Sequence, residues 1–244
     1  MVSFDADLTE ALERLYDAFS RYPHPVSLDG SSSEKVVDMQ RALKSAPLKR
    51  LSAVQIGPYA GSALLTVGDV ADYKHFLPRI IEVAIQGSSH MGTDAPIIAE
   101  RLKRSAWRTW PEWEQLALKE AFKAAWSWST DQRPFIGASA EIWLCGIAIL
   151  GEPIEPVLEA WSARLTTEAL LQSALLAARP LTSSSDDDLA YWTFVDPTIR
   201  TVVTNWARSD DRLQAFLHSI DGLPEEDRWH INVALDVISF RHLH

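Results

Sequence analysis

Cysteine is almost missing from this chain. Cys145 is the single one among 244 residues, which excludes an intrachain disulfide and a cysteine-rich zinc site. Basic residues are also scarce. Lys and Arg number 23 against 33 Asp and Glu, for a net charge of −10 and a pI near 5.1. Such a balance argues against a nucleic-acid partner, which normally needs a basic face, while leaving room for a local basic patch. Long apolar runs are absent as well. The longest, Ile142 to Leu150, is about half of what a membrane span needs. Asp5, Asp7 and Glu10 stand where a secretory signal would carry basic and then apolar residues, so the expectation is a cytoplasmic protein with no membrane partner. The sequence has no G-x-G-x-x-G, no G-x-x-x-x-G-K-[ST], no H-E-x-x-H and no calcium-loop pattern. No catalytic, cofactor or metal-binding set is expected.

What is present is helical periodicity. Hydrophobic residues make up 47% and charged residues 23% of the chain, an ordinary globular composition with enough length for a sizeable core. Asp7 and Glu10 read as a capping box ahead of Leu8, Leu12, Leu15 and Phe19. Gly68-Asp69 reads as a stop and cap for a segment in which Tyr73, Phe76, Ile80 and Val83 share a face. On that reading Asp72, His75, Arg79, Glu82 and Gln86 face water, and Pro78 predicts a kink or break near Lys74 to Leu77. Thr109-Trp110-Pro111-Glu112 reads as another capping signal, followed by a face of Trp113, Ala117, Ala121, Ala124 and Trp128. Ala138 to Leu150 is almost wholly apolar, as a buried helix would be. No period-2 alternation bounded by hairpin turns is sustained. The fold expected is all-α, with about ten to twelve helices as stacked pairs in an irregular solenoid or multi-helix bundle. It is read as one helical domain over 1–244, with a candidate sub-domain boundary at 129–136, where Ser129-Thr130-Asp131-Gln132-Arg133-Pro134 interrupts the pattern.

Few residues invite chemistry. Gly137-Ala138-Ser139-Ala140-Glu141 resembles a nucleophile elbow but lacks the second glycine and a preceding strand. Cys145 sits in an apolar run with no polar partner apparent at helical spacing, so a buried structural thiol is expected. Asp72 and Arg79 flank His75 by one turn each. An Asp72–His75 pair could orient an imidazole for proton transfer, whereas the plainer reading is a solvated polar face. Trp107, Trp110 and Trp113 stand three apart, near Arg104 and Arg108. At least two are expected in the core, and any left exposed would suit a partner-binding patch. Asp186, Asp187 and Asp188 with Tyr191 and Trp192 combine negative charge and aromatic anchors, which makes them the expected partner-binding set.

The segment Gly68-Asp69-Val70-Ala71-Asp72-Tyr73-Lys74-His75-Phe76-Leu77-Pro78-Arg79 resembles a group of uncharacterised bacterial helical proteins sharing G-D-x-x-D-x-x-H-F-L-P-R. Trp107-Arg108-Thr109-Trp110-Pro111, Leu144-Cys145, Leu150-Gly151, Pro156 and Trp161 extend the resemblance over most of the chain. Relatives carry cysteines after an early Pro-x-x-x-x-x-Gly, where this chain has Ser31-Ser32-Ser33 after Gly30. A metal or thiol role therefore does not carry over. The resemblance implies a bacterial, helical, non-secreted protein and no activity.

These observations lead to a non-enzymatic helical protein that binds a partner protein through an acidic, aromatic-bearing surface. Its most concrete form is an immunity protein against a bacterial toxin. The alternative is an enzyme with a carboxylate and His75 at its centre.

Overall fold

The computed structural model describes residues 3–29, 34–87, 92–134, 139–179, 181 and 187–241, with the side chains of 187–190, 240 and 241 left aside. The protein is all-α. The chain divides into two compact units, 1–128 and 129–244, a division that falls at the edge of the polar stretch 129–136.

The first unit holds α1 (Ala6–Phe19), α2 (Glu34–Leu43), α3 (Ala53–Ser62), α4 (Val70–Ile85), α5 (Ala95–Arg104) and α6 (Glu112–Thr130), the last running just past the division. Asp5 caps α1, accepting from the Leu8 amide at 2.8 Å, so the helix starts a little before the expected Asp7. Asp69 caps α4 as expected. Its carboxylate takes the Asp72 amide, and the Asp72 carboxylate takes the Asp69 amide in return. Gly68 just before it has φ 72°, a left-handed conformation open to glycine at little cost. α4 runs unbroken through Pro78. It packs against α1, α3, α5 and the turn Leu48–Arg50, which leaves it almost no face for water. The expected solvent row is therefore corrected. Arg79 is buried, with its Nε donating to the Leu51 carbonyl at 2.6 Å and a nitrogen 2.7 Å from Glu82. Lys74 is buried too.

Lys74 has a specific reason to be inside. Its ammonium lies 2.7 Å from the Glu114 carboxylate, donates to the Tyr22 hydroxyl at 2.9 Å and sits 4.0 Å from the centre of the Trp110 ring. Tyr22 donates to Glu114 at 2.7 Å, and Arg21 reaches the same carboxylate at 2.7 Å. Glu114 itself is fully buried. A lone carboxylate there would cost several kcal/mol in lost hydration; this one accepts from three donors. Glu114 also sets the roll of α6. The row Glu114, Leu118, Phe122 and Trp126 is turned inward with Ala121 and Ala125, and Trp113 is left more than half exposed. The inward face expected for Trp113 is thereby overturned.

The second unit is built round α9 (Thr167–Ala178), which packs on α7 (Ala140–Leu150), α10 (Pro197–Ala207), α11 (Asp210–Ser219) and α12 (Glu225–Arg241). α8 (Glu155–Ser162) precedes it. α7 is buried over nearly its whole length, as its composition implied, and ends at Gly151 in a left-handed conformation. Gln172 on α9 gathers loose backbone groups at helix ends. Its amide donates to the carbonyls of Ser129 and Gln132, and its oxygen accepts from the Ala140 amide.

Removing one member of the Lys74–Glu114 pair should unmask the burial cost. Glu114→Ala is expected to lower unfolding stability by about 3–5 kcal/mol, and Lys74→Met in the same chain should recover much of the loss. Denaturant unfolding of the single and double variants checks this.

Candidate functional site

Of the residues expected to bind a partner, Tyr191 and Trp192 are the two whose side chains are described. Asp186 lies outside the described residues. Asp187 and Asp188 open a 3₁₀ turn, Asp187–Phe194, and their side chains are not described. Tyr191 is half-buried. Trp192 is a core residue, 1% exposed, and its indole N–H donates to the Glu141 carboxylate at 3.1 Å. Trp192 is therefore no exposed anchor. Its neighbour Glu141 also receives Arg179 at 3.1 Å.

Glu141 lies one turn before Cys145 and is itself buried, so the thiol does have an acidic neighbour at helical spacing. Burial, then the Glu141 charge, push the Cys145 thiol well above its ordinary value, the opposite of what activates a nucleophile. Ser139 of the elbow-like stretch stands at the N-cap of α7, while Gly137 and Ala138 fall outside the described residues.

His75 and Asp72 do not pair. Asp72 is engaged with the Asp69 amide, and His75 Nδ1 donates to the Tyr22 carbonyl at 2.8 Å. The imidazole packs against Phe76 and His24, with ring centres 4.7 and 5.2 Å away. Its Nε2 is enclosed without a hydrogen-bond partner among the described residues. Burial lowers the His75 pKa, the Tyr22 bond opposes that, and His24 adds to it. A protonated ring would leave a buried N–H unmatched, in accord with the direction of the shift. Burial raises the Asp72 pKa, with the Asp69 backbone bond opposing. Among the described residues no group of three or more His, Cys, Asp or Glu could hold a metal ion, and no helix is long and apolar enough to cross a membrane.

A different surface stands out. Trp107 and Trp110 are buried, but Trp113 is 55% exposed, and Leu116 on the next turn of α6 is 54% exposed. A recess of about 300 Å³ lies beside them, walled by Ala117 of α6 and by Asp17 and Ala18 of α1. Arg21 lies over the Trp113 ring at 5.3 Å while its guanidinium is held by Glu114 and by the Tyr22 hydroxyl at 2.9 Å. One side of the indole is thus fixed by the buried ionic cluster. The tryptophan triplet in the sequence pointed to this place; nothing in its spacing showed which of the three would be outside.

Two outcomes follow from these placements. Trp192→Ala should cost about 3–5 kcal/mol of stability, read as a lower melting temperature, since it empties a core site and strips Glu141 of a donor. His75 favours the fold in its neutral form. Its contribution is complete above the ordinary value of 6.5 and is lost as pH falls through the lower folded value. Stability should therefore decline on acidification below that point, and His75→Gln should flatten this part of the profile. Asp72 acts in the opposite sense at lower pH, because the folded chain takes up its proton first. No family model, curated protein or solved structure matches the chain, so the case for the site rests on its own geometry.

Proposed function

We propose that this chain is a non-enzymatic helical protein that binds a partner protein, and most concretely an immunity protein that binds and neutralises a bacterial toxin. The observation that carries the reading is the adjacent exposure of Trp113 and Leu116 on one helix face, over a recess and beside a fixed arginine. Trp and Arg dominate interface hot spots, and a held indole gives up little freedom on binding. A net charge of −10 favours fast encounter with a basic partner. Against the rival reading, an enzyme centred on His75 and nearby carboxylates, stands the burial of the His75 Nε2 among the described residues.

The test is co-expression with a toxin-like product encoded beside this gene, scoring growth and direct binding of the purified pair. Protection with a stable complex supports the immunity form; a toxin that kills equally with and without this chain sinks it. Trp113→Ala should weaken binding by about 2 kcal/mol, roughly thirtyfold in Kd, while leaving the melting temperature unchanged. Full affinity in that variant would remove Trp113 from the interface.

A further inference from the structure

Resting on the partner-binding reading above, we propose that the recess between α1 and α6 takes a lysine or arginine side chain from a basic, apolar segment of the partner, its stem on Trp113 and Leu116 and its charge at Asp17. The argument is one of charge left over. Arg14, at the rim, lies 2.5 Å from Glu10 and 3.0 Å from Glu120. One guanidinium is thus shared by two carboxylates, while Asp17, which also lines the recess, has no ion pair among the described residues. Asp17 and Glu120 against Arg14 leave one negative charge in excess among the side chains that line the recess. An anionic partner would add repulsion, and a wholly apolar one would bury Asp17 without a counter-ion, at several kcal/mol for an isolated charge.

The walls point the same way. Ala18 and Ala117 are small, which is what opens the recess, and Trp113 and Leu116 supply apolar surface at its mouth. A long cationic side chain matches both features, because its methylene stem covers apolar surface while its head keeps a polar partner. The protein already shows the contact it would receive: Arg21 lies over the same indole at 5.3 Å. That cation is committed to the buried Glu114 and so cannot swing across to neutralise Asp17 without breaking the cluster.

The probe is a short amphipathic helical peptide of leucine and lysine, with a matched leucine–glutamate peptide as its counterpart. Both are titrated into the intact protein labelled with nitrogen-15 at its tryptophan indoles, and Trp113→Phe assigns the Trp113 signal. The lysine peptide should move the Trp113 signal and the glutamate peptide should not. Asp17→Asn should weaken the lysine peptide about three- to tenfold. Glu34→Gln, an equal loss of charge on α2, where the side chain is exposed and away from the recess lining, should leave its affinity unchanged. An unmoved Trp113 signal, or equal weakening by both variants, overturns the proposal. A glutamate peptide seated on Trp113 would also overturn the basic-segment chemistry, yet would leave the broader partner-binding reading standing. That reading fails separately, in the experiment with the toxin itself.

Discussion

The Glu114 carboxylate, fully buried at the head of α6, is the point on which the first unit turns. It accepts from Lys74 of α4 and from Arg21 and Tyr22, just beyond α1, and so ties together three segments far apart in sequence. A buried ion pair is weak evidence of net stability, because the desolvation of both charges offsets much of their attraction. Its larger consequence here is geometric. Lys74 is enclosed between Tyr22 and Trp110, and the roll of α6 is the one that brings Glu114 to it. That roll buries Leu118, Phe122 and Trp126 behind Glu114 and turns Trp113 outward. The exposed indole is thus a by-product of charge pairing inside the unit, and the same cluster then steadies it through Arg21.

Helix positions were largely readable from the chain because their signals are local. The cap at Asp69 and the apolar run of α7 both depend on residues within a turn or two of one another. The errors share one cause. Arg79 is expected in water on the general ground that charged side chains face it, and it lies inside because the Leu51 carbonyl, distant in sequence, meets it. Periodicity describes one helix at a time, so it cannot register a cation on α4 that waits for a carboxylate on α6. On α6 the expected row is inward at Ala117, Ala121 and Trp128, while Trp113 at its head is outward and Glu114 beside it faces Lys74.

The same limit explains the site. Trp192 looked like an anchor because it follows an acidic run, and its burial depends on Glu141, some fifty residues earlier. The tryptophan triplet was visible as a candidate patch, but which member faces water was decided by contacts that spacing does not encode. Cys145 was read rightly as a buried structural thiol, yet on an incomplete argument. Its acidic neighbour Glu141 is one turn away and buried, and it reinforces the case by raising the thiol pKa further.

Exposing Trp113 has a cost that the first unit could otherwise avoid. Apolar area left in water forgoes roughly 25 cal/mol per Å², and a lone exposed apolar residue would need no explanation. Trp113 is not alone. Leu116 continues the patch one turn on, the helix opposite contributes an alanine where a larger side chain would close the recess, and the acid beside it has no ion pair among the described residues. A helix face selected for solubility would carry paired charges at these positions, as Arg14 with Glu10 and Glu120 does a turn away. Under the partner-binding proposal, an exposed indole and leucine over a recess, beside an aspartate with no ion pair among the described residues, form a surface suited to being covered rather than one that is merely uneven.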